Sequence, residues 1–349
     1  MRPFKKYWKD KKVIITGHTG FMGSWLCLVL KLYGCKIYGI SLKPNTKPSL
    51  FKIMKINKII FKHFIADINN LNKLSYIFKK IEPDIIFHLA AQPLVKYSVK
   101  NPIETFKTNI MGTINVCEAS RNLKRLSKLI LITTDKCYKN FNSKKINFFH
   151  ESSELGGGGD PYSASKSSAE IAIHAYQNIF FKDKKVKIST ARAGNIIGGG
   201  DWAEDRLLPD IYRSLHLKKV LKVRYPNATR PWQHVLDVIN GYLLLAQSNN
   251  SGAWNFGPDL KKIFKVKDIL LNLKIKNPKL KWKITKPKKK LESINLNLEI
   301  KKAKNKLKWQ PKWDVDKAVE ETNKWYINYY DNKNNKHFTM KQIKDFFKL

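Results

Sequence analysis

Acidic residues are scarce in this chain. Of its 349 residues 27 are Asp or Glu against 67 Lys or Arg, a formal charge of +40 at pH 7. A basic excess of that size supplies non-specific phosphate affinity when it is gathered into a patch. Here the lysines are spread along the chain, thickest in Lys286-Pro287-Lys288-Lys289-Lys290 and the C-terminal third, among many asparagines and isoleucines. That pattern reads as a solvated lysine surface with no specific nucleic-acid partner, though one that still attracts small anions. Cysteine is scarce too. The four present (Cys27, Cys35, Cys117, Cys137) form no Cys-x-x-Cys pair, which argues against a disulfide framework or a zinc site and leaves no metal to expect. They read as reduced thiols of a cytoplasmic protein. No apolar run reaches the roughly 18 residues of a membrane span, the N-terminus has no signal-like apolar region, and there is no internal repeat.

What the chain does have is a glycine turn. In Val13-Ile14-Ile15-Thr16-Gly17-His18-Thr19-Gly20-Phe21-Met22-Gly23 a β-branched run meets three glycines spaced three apart. Apolar residues at helical spacing follow (Trp25, Leu26, Leu28, Val29, Leu30). Strand, tight turn and helix in that order bring backbone N–H groups to a pyrophosphate at a helix N-terminus, where the helix dipole favours negative charge. The turn is therefore the expected seat of a dinucleotide.

Strand and helix signals alternate beyond it. Strands are expected at Lys36–Ile40, Ile59–Ile65, Ile85–Leu89, Leu129–Thr133 and Val186–Ala191, and helices at Leu71–Ile81, Pro102–Leu126 and Pro161–Phe181. This rhythm gives an α/β chain with a Rossmann-like, doubly wound parallel sheet covered on both faces. Past Arg192 it breaks, with glycine and proline frequent and the lysine-rich Leu260–Lys290 stretch showing no βαβ repeat. The expected division is a dinucleotide-binding unit over 1–192 and, over 193–349, mainly a smaller substrate lobe with C-terminal helices. The helix Val235–Gln247 is expected to return to the first unit, and Val315–Tyr330 to form an amphipathic helix near the end.

Asp160-Pro161-Tyr162-Ser163-Ala164-Ser165-Lys166 opens the mid-chain helix, with Pro at its first position. Tyr162 and Lys166, four apart, share one face. An ammonium beside a phenol is expected to lower the phenol's pKa from about 10 towards neutrality, so that it can take a proton from a sugar hydroxyl.

With these stretches the chain resembles the extended short-chain dehydrogenase/reductase superfamily from Val13 to about Tyr330, and within it the CDP-glucose branch of the nucleotide-sugar 4,6-dehydratases. The likeness is carried by the glycine turn, His88-Leu89-Ala90-Ala91-Gln92-Pro93, Thr133-Thr134-Asp135-Lys136-Cys137-Tyr138 and Asp160-Pro161-Tyr162-Ser163. Later come Ala191-Arg192-Ala193-Gly194-Asn195, Gly198-Gly199-Gly200-Asp201-Trp202-Ala203 and Arg230-Pro231-Trp232-Gln233-His234. It implies a hydro-lyase on a nucleotide-sugar substrate, with hydride passing from C4 to the cofactor and back to C6. Thr134 would bond the 4-oxygen beside Tyr162, Asp135 would protonate the departing 6-hydroxyl, and Lys136 would be the C5 base. Gly17, Thr19, Gly20, Phe21, Met22 and Gly23 would hold the cofactor, with Asp67 and Ile68, then Leu89, Ala90, Ala91 and Gln92. Asn109, Tyr162 and Lys166 complete that set, although Asn109 equally fits polar packing. Asn195, Arg206 and Arg230 would hold the diphosphate, as arginine suits bidentate phosphate contact; Arg206 also fits a surface ion pair. The likeness implies NAD and a homodimer or higher homo-oligomer. The acidic residue usual after the second strand is missing from Ile40-Ser41-Leu42-Lys43, so NADP stays open. Gly156-Gly157-Gly158-Gly159 reads as a lid or a tolerated loop. Two other readings stand beside the dehydratase: a different nucleotide-sugar dehydratase or epimerase, and a silent nucleotide-sensing or nucleic-acid-binding protein.

Overall fold

The computed structural model describes residues 2–140, 148–259, 263–285 and 296–349. The lysine run 286–290 lies outside them. Seven parallel strands form the main sheet: β1 (Lys12–Thr16), β2 (Lys36–Ser41), β3 (Lys62–Ile65), β4 (Ile85–His88), β5 (Lys128–Ile132), β6 (Lys187–Ala193) and β7 (Gly252–Phe256). Their spatial order is β7-β6-β5-β4-β1-β2-β3. The chain winds outward from β1 in one direction and from β4 in the other, which is the doubly wound arrangement. Ligands in such sheets bind beyond the carboxyl ends of the strands, at the point where the order reverses.

Alternation along the strands separates the two faces. Val13, Ile15, Ile85, Phe87 and Ile130 face one apolar core, and Ile14, Ile86, Leu129 and Leu131 the other. Near-continuous apolar runs are what a sheet covered on both sides demands. The covering helices include α1 (Phe21–Leu32), α2 (Pro161–Ile179), α3 (Val235–Gln247) and α4 (Val315–Tyr330). Asn70 caps the helix Leu71–Ile81 through Lys73 N–H (2.9 Å), and Asp314 caps α4 through Lys317 N–H (2.8 Å), each satisfying an otherwise unpaired donor.

Three expectations need adjustment. The third strand is shorter, because Ile56–Ile59 forms a helical turn before Lys62. The Pro102–Leu126 helix is three pieces: Pro102–Phe106, a π-helical stretch at Lys107–Met111, and Gly112–Ser120. It stops at Ser120, and the amides of Lys124 and Arg125 instead donate to Glu82 Oε2. The unit expected over 1–192 is completed by α3, which packs on α1 and on β5 and β6, and also by β7, which pairs with β6. Two short parallel pairs, Ile196–Ile197 with Gln233–His234 and Leu221–Val223 with Trp282–Ile284, shape the lobe above the sheet. No described helix is long and apolar enough to cross a membrane, and all four cysteines are free and buried.

Candidate active site

A cavity of about 1100 Å³ opens above the carboxyl ends of the strands, at the β1–β4 reversal. One wall is the glycine turn. Gly17 has φ +75°, and a Cβ there would sit 2.6 Å from Ala90 N; a Cβ on Gly23 would sit 2.3 Å from Gly17 O. Only glycine lets the turn close on the loop after β4 and lets α1 begin so near it. Thr19 to Gly23, Asp67, Ile68, Leu89, Ala90 and Ala91 all line this side. The Thr19 hydroxyl lies 2.7 Å from Ser41 Oγ and donates to Leu42 O (3.0 Å). At the end of β2 the cavity therefore meets Ser41, Leu42 and Lys43, with no carboxylate.

The opposite wall carries the groups capable of proton transfer. Asp160 begins α2, accepting from Ser163 N (3.0 Å) and Ser163 Oγ (2.6 Å), which fixes Tyr162 one position into the helix. Burial holds the Tyr162 phenol up at about 12, against the lowering pull of its hydrogen bond with Thr134 and of the Arg206 charge. The expected lowering by Lys166 is thus not what this arrangement gives. Lys166 Nζ instead donates to Ile132 O (3.1 Å), and burial draws its pKa down to about 8. Desolvation outweighs the helix-face spacing.

Thr134 caps the short turn Asp135–Cys137, and its hydroxyl donates to Asp135 Oδ1 (3.0 Å). Asp135 Oδ2 is buried with no hydrogen-bond partner among the described residues. Burial raises the Asp135 pKa, opposed by the charges of Lys136 and Arg230 and by the Thr134 hydroxyl. Half-buried Lys136 lines the same cavity. Gly194 crowds this spot, since a Cβ there would lie 2.8 Å from Asp135 Oδ2.

Asn195, Arg206 and Arg230 line the lobe side. Arg230 is buried, with Nη1 donating to Thr229 O (2.8 Å), and its charge reaches Asp135. Arg206 forms an ion pair with Asp201 (2.8 Å) while its charge also reaches Tyr162. The ion pair is one of the two things the sequence allowed. Two expected cofactor residues stand outside the cavity. Asn109 accepts from Gln92 N (2.8 Å) and donates to Gln92 O (3.0 Å) and Ser165 Oγ (2.9 Å). Its amide is fully used in tying the loop after β4 to α2, so Gln92 and Asn109 are packing groups behind the wall. The glycine run before Asp160 is pinned, with Gly156 N and Gly157 N both donating to Cys137 O (3.0 and 3.1 Å). Sequence reasoning missed Arg224 and Tyr225, which line the lobe side after Leu221–Val223; an arginine–aromatic pair between a short strand and Pro226 was the available signal.

The chain matches the GDP-mannose 4,6-dehydratase family over residues 14–322. It is 39% identical over 336 residues to CDP-glucose 4,6-dehydratase of Salmonella typhimurium, covering 92% of each chain. Among solved structures it is similar to UDP-glucose 4-epimerase of Thermotoga maritima, with TM-score 0.80 and 22% identity over 91% of this chain and 99% of that one. It is also similar to dTDP-glucose 4,6-dehydratase of Bacillus anthracis in complex with NAD, with TM-score 0.77 and 21% identity over 93% and 99%.

Proposed function

The chain belongs to the GDP-mannose 4,6-dehydratase family, and we propose that it is a hydro-lyase converting CDP-D-glucose to CDP-4-dehydro-6-deoxy-D-glucose and water. The 39% identity to a CDP-glucose 4,6-dehydratase supports that substrate. The observation that carries the reaction type is Asp135: a buried carboxyl with raised pKa and an unpartnered Oδ2, in one cavity with Tyr162 and Thr134. Loss of a hydroxyl as water needs a proton donor at that hydroxyl, and a carboxyl whose pKa burial raises is suited to that role. Epimerisation expels no hydroxyl and needs no such acid.

The residues present fit NAD. Gly17 and Gly23 occupy positions where a Cβ would collide, and the open N-terminus of α1 suits a pyrophosphate. Thr19, Asp67, Ile68 and the Leu89-Ala90-Ala91 loop would flank it, with Ser41 at the end of β2. Bound there, NAD would accept a hydride from the sugar and return it, so the reaction has no net redox change. Tyr162 takes the proton of the C4 hydroxyl, with Thr134 and Arg206 offsetting part of the rise that burial gives its phenol. Lys136 removes the C5 proton made acidic by the C4 ketone and gives a proton back there once hydride returns to C6. Asp135 passes its proton to the C6 hydroxyl, water leaves, and the proton that Tyr162 took up replaces the one Asp135 gave. Asn195, Arg206 and Arg230 hold the diphosphate. Residues 1–192 with α3 serve mainly the cofactor, and 193–349 mainly the nucleotide sugar.

Exposed Ile103, Met111, Ile171 and Ile179, on the Pro102–Ser120 segment and α2, favour pairing with the same face of a second copy. Four free, buried thiols accord with a cytoplasmic site. The test is incubation with CDP-glucose, dTDP-glucose, UDP-glucose and GDP-mannose. CDP-glucose should lose the mass of one water; a product of unchanged mass, or turnover confined to another nucleotide, overturns the assignment.

A further inference from the structure

Behind the proton-transfer groups lies an ion pair that the reaction described above does not use. Tyr162, Lys166 and Glu170 are spaced by four along α2 and share one face. Glu170 is buried, and its carboxylate accepts four hydrogen bonds: from Thr133 Oγ1 (2.5 Å), Thr190 Oγ1 (2.9 Å), Arg192 Nε (2.9 Å) and Arg192 Nη2 (2.7 Å). Arg192, on β6, also donates from Nη1 to Tyr138 OH (2.9 Å) and to Glu151 O (3.0 Å), and its guanidinium lies 4.9 Å from the Tyr138 ring centre. Tyr138 OH in turn donates to Asn255 Oδ1 (2.7 Å) on β7.

Thr133 and Tyr138 are the two residues that bracket the turn Thr134-Asp135-Lys136-Cys137. One partner of the pair grips the residue entering the turn and the other grips the residue leaving it. We propose that Glu170, paired with Arg192, is a positioning residue for the dehydration site: it fixes the Thr134–Asp135–Lys136 turn against Tyr162 and sets the electric field at Lys166. This rests on the dehydratase reading.

The field has a definite sign. Burial pulls Lys166 down to about 8, and Glu170, one helical turn on, is the largest opposing influence. The other groups facing Lys166 are Cys137 from the turn and His88 from β4, the latter kept neutral by burial with its pKa at about 3. Arg192 pairs with Glu170 from β6, and Glu170 acts on Lys166 from one helical turn away along α2. Well-packed apolar side chains often replace a buried ion pair with little loss, so stability alone does not account for this one.

The experiment compares the wild-type enzyme with Glu170→Gln and with the double variant Glu170→Gln, Arg192→Met, which leaves no unpaired charge. Thermal melting reports folding. Two readouts follow: the pH dependence of competitive acetylation of Lys166, read by peptide mass, and kcat and KM for CDP-glucose. Loss of the Glu170 charge should make Lys166 several-fold more reactive at neutral pH. It should also lower kcat roughly 10²-fold, as a misplaced catalytic turn does, with KM within about twofold. The double variant should melt near wild type and show both changes; if Glu170→Gln alone does not fold, the double variant decides. A folded variant with the wild-type acetylation profile and kcat overturns the proposal, and so does recovery of kcat in the double variant. If the wild-type protein dehydrates no nucleotide sugar, the function assigned above is wrong, while acetylation still reports whether Glu170 governs Lys166.

Discussion

Asp237 sits fully buried in the first turn of α3, where it joins the sheet to the C-terminal region. Its Oδ1 accepts from Lys312 N (2.6 Å), its carbonyl accepts from Trp309 Nε1 (3.0 Å), and Oδ2 has no partner among the described residues. Burial lifts its pKa to about 7 against the lowering pull of the Lys312 and Trp313 amides. A carboxyl whose folded pKa lies above its unfolded value of about 4 contributes stability that is full below pH 4 and is lost as pH rises towards 7. Three buried histidines act in the opposite direction. His18, His88 and His234 are each lowered to about 3 by burial, so their contribution is full above pH 6.5 and is lost as pH falls. The diagnostic is therefore the difference between Asp237→Asn and wild type, in which the histidines cancel. Between about pH 5.5 and 7 the unfolded Asp is already ionised while the folded one still keeps its proton, with its pKa at about 7. At about 1.4 kcal/mol per pKa unit the wild type forfeits roughly 2 kcal/mol across that window and the variant forfeits none. Urea unfolding followed by tryptophan fluorescence, at fixed protein concentration, measures both. Parallel stability profiles for the two proteins would refute the reasoning and show that Asp237 is already ionised in the fold.

Three further outcomes are expected. Tyr162→Phe should lose roughly 10²–10⁴ in turnover while still binding the nucleotide sugar, measured by calorimetry beside a mass assay; near-normal dehydration would remove Tyr162 from the mechanism. Lys136→Met should keep C4 oxidation and lose dehydration, so rapid-quench mass analysis should find a 4-keto hexose that retains its water. Wild-type release of dehydrated product would leave Asp135 or a water as the C5 base. Replacing both Ile103 and Ile179 by Lys should turn a dimer seen by sedimentation at micromolar concentration into a monomer, and a strictly monomeric wild type would count against the pairing face.

Much of the fold was legible because its signals are local. The β-branched run before Gly17, Pro161 at the first position of α2 and the amphipathic pattern of Val315–Tyr330 each fix an element without reference to distant residues. What was illegible depended on contacts across the sheet. Apolar spacing through Pro102–Leu126 suggests one helix, and nothing in it announces that Asn109 will spend its amide on Gln92 and Ser165 within a π-helical stretch. The residues gathered in the cavity could be named from their motifs, but the protonation of Tyr162 could not. Spacing places Lys166 on its face; only the surrounding burial and the carbonyl of Ile132 show that the phenol is held high.

The seventh strand has a consequence for how the chain reaches this structure. β6 ends at Ala193, and its outer neighbour β7 is complete only at Phe256. On a ribosome adding about 5–20 residues per second, β7 follows roughly sixty residues later, after about 3–12 s. Until then β6 presents a bare hydrogen-bonding edge, flanked by the apolar underside that α3 will cover. Unpaired edges of that kind invite pairing with other chains. The nascent protein is therefore exposed to edge-to-edge aggregation between synthesis of β6 and arrival of β7, and a truncation after residue 192 would make that interval permanent.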